Sequence, residues 1–192
     1  MQKKQTFPGG ALLSPVPPTL VSCGNGETKN IFTVAWTGTM CTKPPVTYIS
    51  VRQSRFSYDL IEKSGEFVIN LVPENLVSVC DSCGVKSGRD LDKFETYSLT
   101  AAAAKTLKNA PIIEECPVNI ECKVIQKIPL GSHDVFMANI TAVNVNSDLI
   151  DENGKIRLWK AKLCAYAHGS YYALGKHLGD FGFSVRKKKK RK

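Results

Sequence analysis

Thirty-two residues near the N-terminus, Asn30 to Ile61 (NIFTVAWTGTMCTKPPVTYISVRQSRFSYDLI), constrain this chain more than any other stretch. Asn30 to Trp36 alternates apolar and polar residues and is rich in Phe, Val and Trp, the pattern of a half-buried strand. Thr37 to Lys43 breaks that alternation and reads as a polar loop, closed by Pro44-Pro45, since proline donates no ladder hydrogen bond. Val46 to Arg52 resumes a strand. Ser57 is then placed as a helix N-cap, with Phe56 and Ile61 as a hydrophobic staple and Gly65 as the stop.

That order predicts two sites side by side. The Thr37–Thr42 loop is short in side chains and rich in hydroxyls and backbone N–H groups, suited to the polar edge of a flat heterocycle. The turn Arg52-Gln53-Ser54-Arg55-Phe56-Ser57 delivers two guanidinium groups, two hydroxyls and the free amides of a helix start to one place. Phosphate is drawn to such a place by the helix dipole and by charge-assisted hydrogen bonds. A phosphate at one end and a planar ring at the other describe a nucleotide-like cofactor.

The rest of the chain predicts many short strands and few long helices. Candidate strands are Thr19–Cys23, Glu66–Val72, Val118–Lys127, Asp134–Asn146 and Lys160–Tyr166. A second helix is expected from Pro73 to about Cys83 and a short one near Asp90–Glu95, with Gly169–Leu174 a terminal turn or helix. Ala101–Ala110 is ambiguous, because four alanines favour helix by propensity where a connector would also fit. The fold class is therefore mainly β with peripheral helices, a small antiparallel barrel. No GxGxxG follows the first strand and strands do not alternate with helices, which argues against a Rossmann fold.

Charge and cysteines remove other classes. The net charge is +9, but Arg186–Lys192 holds seven of the 26 basic residues, leaving 19 against 17 acidic ones. Residues 1–185 thus read as one nearly neutral domain and 186–192 as a disordered, solubilising basic tail that attracts nucleic acid or anionic lipid only weakly. No apolar run approaches a membrane span, and the N-terminus has no secretory core, so a cytoplasmic protein is expected. Cys80-x-x-Cys83 is half of a zinc or redox motif, but no second pair or His cluster completes it, and it reads as two ordinary thiols. No metal is expected. A nucleic-acid-associated role, using the tail and these cysteines, is the least supported reading.

The ordered set Asn30-x-x-Thr33, Trp36-Thr37, Pro44-Pro45 and Arg52-x-Ser54-Arg55-x-Ser57 resembles the flavin reductase-like, FMN-binding split-barrel family, of the flavoredoxin type. Ser87–Phe94, Gly131–Phe136 and Tyr171–Gly175 agree with it, and the likeness runs from about Pro17 to Gly182. The resemblance implies an antiparallel Greek-key split β-barrel that dimerises, with FMN near the subunit boundary. It implies an oxidoreductase taking hydride from NAD(P)H and passing electrons to free flavin, a metal complex or a redox protein, or else an electron carrier with no NAD(P)H site.

The site residues it implies are as follows. Asn30 and Thr33 anchor the ring edge or ribityl chain, or only close strand-end hydrogen bonds. Trp36 packs on the ring, the partner or the core, and Thr37, Thr39, Met40 and Cys41 approach the ring from their loop. Arg52, Ser54, Arg55 and Ser57 cradle the phosphate, or form a solvated cap with surface arginines, and Lys93 lies over the cofactor or is a surface lysine. His133 is the catalytic candidate, beside the nicotinamide or the ring, or else a satisfied turn residue, and Tyr171 and Tyr172 close the pocket or fill core.

Overall fold

The computed structural model describes residues 3–186. The tail expected at 186–192 lies, apart from Arg186, outside the described residues. The strands are β1 (Thr19–Gly24), β2 (Lys29–Val34), β3 (Thr37–Thr42), β4 (Pro45–Val51), β5 (Glu66–Leu71), β6 (Ala101–Ala102), β7 (Ile112–Ile113), β8 (Val118–Pro129), β9 (Asp134–Val145), β10 (Cys164–Ala167) and β11 (Ser170–Ala173). The α-helices are α1 (Phe56–Ser64), α2 (Val77–Val85) and α3 (Lys93–Thr96). None of the described helices is long and apolar enough to cross a membrane.

Seven strands form one antiparallel sheet in the order β2-β1-β5-β8-β9-β4-β3. The edge strands β2 and β3 are consecutive in sequence, separated only by Ala35 and Trp36. Laid flat, the two edges of seven strands would stand about 29 Å apart. From Val34 to Thr37 the chain reaches roughly 11 Å at most. The sheet must therefore roll until its edges come together at Ala35 and Trp36, where the β3–β4 ladder runs one residue further as Ser50 N–H donates to the Trp36 carbonyl at 2.9 Å. Helix α1 crosses from β4 to β5 past β9 and β8, the jump over neighbours that marks a Greek key.

Alternation along the strands separates two layers. Val21, Phe32, Val34, Ile49, Val51, Phe67, Ile69, Phe136 and Ala138 point inward and pack with Tyr58, Leu60 and Ile61 of α1. Leu20 and Ile31 point outward from β1 and β2 and are covered by Leu76, Cys80, Cys83 and Phe94. Strand β1 is buried along its whole length because it serves both layers.

Four expectations need correction. Residues 37–42 are strand β3, not a loop: the threonines suit a strand, and the backbone pairs with β4 through a bulge at Thr39–Cys41. Ser57 is not the N-cap of α1. Arg55 holds that position without a side-chain cap, while Ser57 is buried in the first turn. Gly169–Leu174 contains β11, paired with β10, and Leu158–Ala161 is a 3-10 turn ahead of β10 where a strand was expected. Gly65 does stop α1, with φ 67° and its N–H on the Ile61 carbonyl at 2.8 Å.

Candidate functional site

Two clefts open where the rolled edges meet the start of α1. The first encloses about 450 Å3 between the ends of β2 and β4, with Thr33, Trp36, Ser50, His133, Tyr166 and Tyr171 in its walls. The second, about 430 Å3, runs under the 85–93 segment, with Asn30, Ser54, Ser57, Ser87, Arg89 and Lys93 in its walls. They join at Phe32, Arg52, Arg55 and Val85, which line both. Together they form an elongated trough, aromatic at one end and cationic at the other.

The cationic end is built from side chains with few local partners. Arg52, Arg55, Lys86, Arg89 and Lys93 line the second cleft, and none of its lining residues is Asp or Glu. None of the five is in an ion pair among the described residues. Arg55 Nη1 donates to the Gly84 carbonyl at 2.7 Å, which fixes one edge of its guanidinium and leaves the other to the cleft. Lys93 is 3% exposed, its Nζ donating to the carbonyls of Ile31 at 2.8 Å and Cys83 at 2.9 Å. Burial lowers the Lys93 pKa. An ammonium group has three donors, so one remains after those two bonds.

Asn30 and Ser57 support that floor. Asn30 Nδ2 donates to Ser57 Oγ at 2.7 Å, and both side chains are buried. Gly88 lies so close that a β-carbon there would meet Asn30 Oδ1 at 2.4 Å and Phe56 Cδ1 at 2.6 Å. The 87–89 loop therefore reaches the floor only because residue 88 has no side chain. In the first turn of α1 the Tyr58 amide donates to the Arg55 carbonyl at 3.0 Å, whereas Phe56 and Ser57, which line this cleft, stand where a helix offers its amides no internal acceptor.

At the other end, Trp36 and His133 pack ring against ring, with centroids 4.6 Å apart and planes tilted by 44°. His133 Nδ1 pairs with the Ser132 hydroxyl at 2.9 Å. Its pKa is lowered, first by burial and then by the Arg52 and Arg55 charges, so the ring is neutral at neutral pH. The next residue, Asp134, is buried, accepts from the Tyr58 hydroxyl and takes the Gln53 amide at 3.1 Å. Asp134 thus ties the start of β9 to α1 and to the Arg52–Arg55 turn.

Of the residues singled out in the sequence, the trough brings together Asn30, Thr33, Trp36, Arg52, Ser54, Arg55, Ser57, Lys93 and His133. Thr33 lines it while its hydroxyl donates to the Cys80 carbonyl. Thr37, Thr39, Met40 and Cys41 line neither cleft. The Thr37 hydroxyl is spent on the Tyr48 carbonyl at 2.6 Å, and the other three are exposed on edge strand β3. Tyr171 lines the first cleft, whereas Tyr172 is exposed.

Lys86, Gly88, Arg89 and Tyr166 line or shape the trough and were not singled out in the sequence. A glycine followed by arginine inside Ser87–Phe94 was the available signal for two of them, and Tyr166 carried none. Cys80 and Cys83 are buried in the outer core, which pushes their thiols up to about 12 and about 11. Among the described residues, no group of three or more His, Cys, Asp or Glu is placed to hold a metal ion.

A rolled antiparallel barrel with a trough at its seam, cation-lined at one end and aromatic-walled at the other, is the architecture of a class of cofactor-binding barrels. The family described as the flavin reductase like domain matches residues 12–175, and the chain belongs to it. The solved flavoredoxin of Desulfovibrio vulgaris (Miyazaki F) superposes with a TM-score of 0.88 at 28% identity, covering 96% of this chain and 100% of that one. A protein of Archaeoglobus fulgidus is 32% identical over 117 residues, 61% of this chain and 66% of the relative. An Acinetobacter baylyi protein named FMN reductase (NADH) is 22% identical over 115 residues, 60% of this chain and 58% of the relative.

Proposed function

We propose that the chain is an FMN-dependent oxidoreductase that accepts hydride from NAD(P)H and delivers electrons onward to free flavin, a metal complex or a redox protein. The observation that carries this reading is the second cleft, where Arg52, Arg55 and Lys93 stand with no carboxylate in the lining. Cations brought together with no carboxylate among them are costly unless an anion joins them, and a phosphate is the anion their spacing and hydroxyl neighbours suit. The trough continues from there into the aromatic-walled cleft of about 450 Å3, so the residues present fit FMN, a phosphate joined to a planar ring.

In this reading Arg52, Arg55, Lys93, Ser54 and the first amides of α1 hold the phosphate, and Asn30 with Ser57 keeps the floor in shape. Thr33, Trp36 and Ser50 flank the ring. FMN, when bound, supplies the hydride-accepting N5. His133 stays neutral and, with Nδ1 turned to Ser132, presents Nε2 to a polar group of the nicotinamide. Trp36, Tyr166 and Tyr171 form the walls beside the ring.

The test is spectroscopic. Purified protein mixed with FMN and freed of excess should stay yellow, and anaerobic NADH or NADPH should bleach it. Protein that emerges colourless defeats the proposal. A second reading, an FMN-bound electron carrier, is favoured by the likeness to flavoredoxin along 96% of the chain. Yellow protein that neither nucleotide bleaches, but a strong chemical reductant does, would select it.

A further inference from the structure

The second cleft holds more positive charge than one phosphate uses. A phosphomonoester carries about −1.5 to −2 at neutral pH, and five cations line this cleft. They fall into two tiers. Lys93 is buried and Arg55 half-buried, beside Ser57 on the floor, whereas Arg52, Lys86 and Arg89 are exposed at the mouth. The floor tier, with one mouth arginine, suffices for the cofactor phosphate.

The mouth is held in place and does not consist of stray surface charge. Arg89 Nη1 donates to the Ser54 carbonyl at 3.2 Å, and its guanidinium lies over the Phe56 ring, 5.6 Å from the centroid. The loop that carries it is locked against Asn30 and Phe56 by the missing side chain of Gly88. Ser87 Oγ accepts the Arg89 amide at 3.1 Å, which fixes the turn between the two outer cations. An arginine stacked on an aromatic face with a free fork edge is suited to a phosphate that arrives from solvent. Lys86 makes no side-chain hydrogen bond among the described residues and is free to join it.

We infer that Lys86 and Arg89 form a second phosphate subsite, which takes the 2′-phosphate of NADPH and makes the protein select NADPH over NADH. The inference rests on the flavin reading above and deepens it. The cofactor phosphate occupies the floor, the nicotinamide lies over the aromatic cleft, and the adenosine half returns across the mouth to bring its extra phosphate to the outer cations. NADH lacks that group and leaves the pair unused.

The experiment compares kcat/KM for the two nucleotides on FMN-loaded protein. Wild type should prefer NADPH by about tenfold or more, the scale of one charge-assisted contact. The double variant Lys86→Ala/Arg89→Ala should bring the ratio close to one, through KM for NADPH rather than kcat. Lys86→Ala alone, at an exposed residue, should lower the ratio severalfold and keeps the test informative if the double variant does not fold. Titration with adenosine 2′,5′-bisphosphate and with 5′-AMP should show the former binding more tightly to wild type and equally to the double variant. Yellow protein bleached by both nucleotides with equal kcat/KM overturns this inference alone, as does a preference that survives both substitutions. Protein that never becomes yellow overturns the flavin reading and this one with it.

Discussion

At the scale of single residues, the trough depends on two that contribute no charge. Gly88 matters through what it lacks: Gly88→Ala drives a methyl into Asn30 Oδ1 and Phe56 Cδ1. Overpacking of that kind costs about 1–3 kcal/mol, and here the displaced atom belongs to the Asn30–Ser57 pair. Chemical denaturation should show the loss of stability, and FMN titration should show weaker binding at protein concentrations where the variant is still folded. His133 matters through what it withholds. Burial lowers its pKa most, with Arg52 and Arg55 adding to the effect. The unfolded imidazole takes up a proton near the ordinary value and the folded one only at lower pH, so this group's contribution to stability is lost as pH falls through that window. Arg52→Ala removes one of the smaller causes. The His133 pKa followed by NMR should rise in that variant yet stay below 6.5, since burial remains. A return to the full ordinary value would mean that the arginines, not burial, set the shift.

At the scale of elements, an irregular segment is tied down by side chains from elsewhere in the chain. The connector 100–110 is held by three carboxylates that accept its backbone amides. Glu115 takes Thr100 N–H at 2.9 Å, Glu121 takes Lys105 and Thr106 N–H at 2.8 and 2.7 Å, and Glu66 takes Lys108 and Asn109 N–H at 3.0 and 2.8 Å. Glu121 is fully buried and also accepts from the Thr106 hydroxyl and the Asn144 amide. Burial alone would raise its pKa, but those hydrogen bonds prevail and lower it. A carboxylate with a depressed folded pKa stabilises above its unfolded value and loses that effect as pH falls through the folded one. Amide protection in the connector, taken relative to the intrinsic exchange rate at each pH, should therefore fall on acidification below the usual carboxylate range, before that of the barrel strands. Glu121→Ala leaves two part-buried amides without their acceptor and should cost about 1–3 kcal/mol, with exchange rising first at Lys105 and Thr106. Unchanged exchange there would show that the carboxylate does not hold the segment. None of this was legible in the sequence, where four alanines competed with a connector and the partners lay 15 to 43 residues away. The alternation of β2, β4, β8 and β9 was legible, because one face of each packs inward. So was the Arg52–Ser57 turn, whose chemistry is local. Strand β3 was missed because an edge strand of threonines buries almost nothing, and only its pairing with β4 reveals it.

At the scale of the molecule, the two terminal arms carry large apolar side chains that nothing covers among the described residues. Leu12 and Leu13 near the N-terminus and Leu174, Leu178, Phe181 and Phe183 near the C-terminus are each at least 60% exposed. Val16 bridges to Tyr166, so the N-terminal arm starts beside the hairpin that walls the first cleft, and the C-terminal arm leaves from that same hairpin. Apolar side chains gathered along two such arms gain several kcal/mol only when something covers them. A second copy of the chain offers the same arms and the same hairpin in return, which is the self-complementarity a two-fold dimer needs. The dimer proposed on these grounds places the arms across the neighbouring subunit and brings its surface to the open side of the aromatic cleft. Light scattering should then give twice the 21.1 kDa of one chain. Removing residues 175–186 together with the basic tail should yield monomers or aggregates, whereas removing only 187–192 should leave the dimer intact and strip most of the excess positive charge. If a chain lacking 175–192 remains a dimer of normal FMN affinity, the arms are not what joins the subunits, and the partner of those exposed leucines and phenylalanines must be a different molecule.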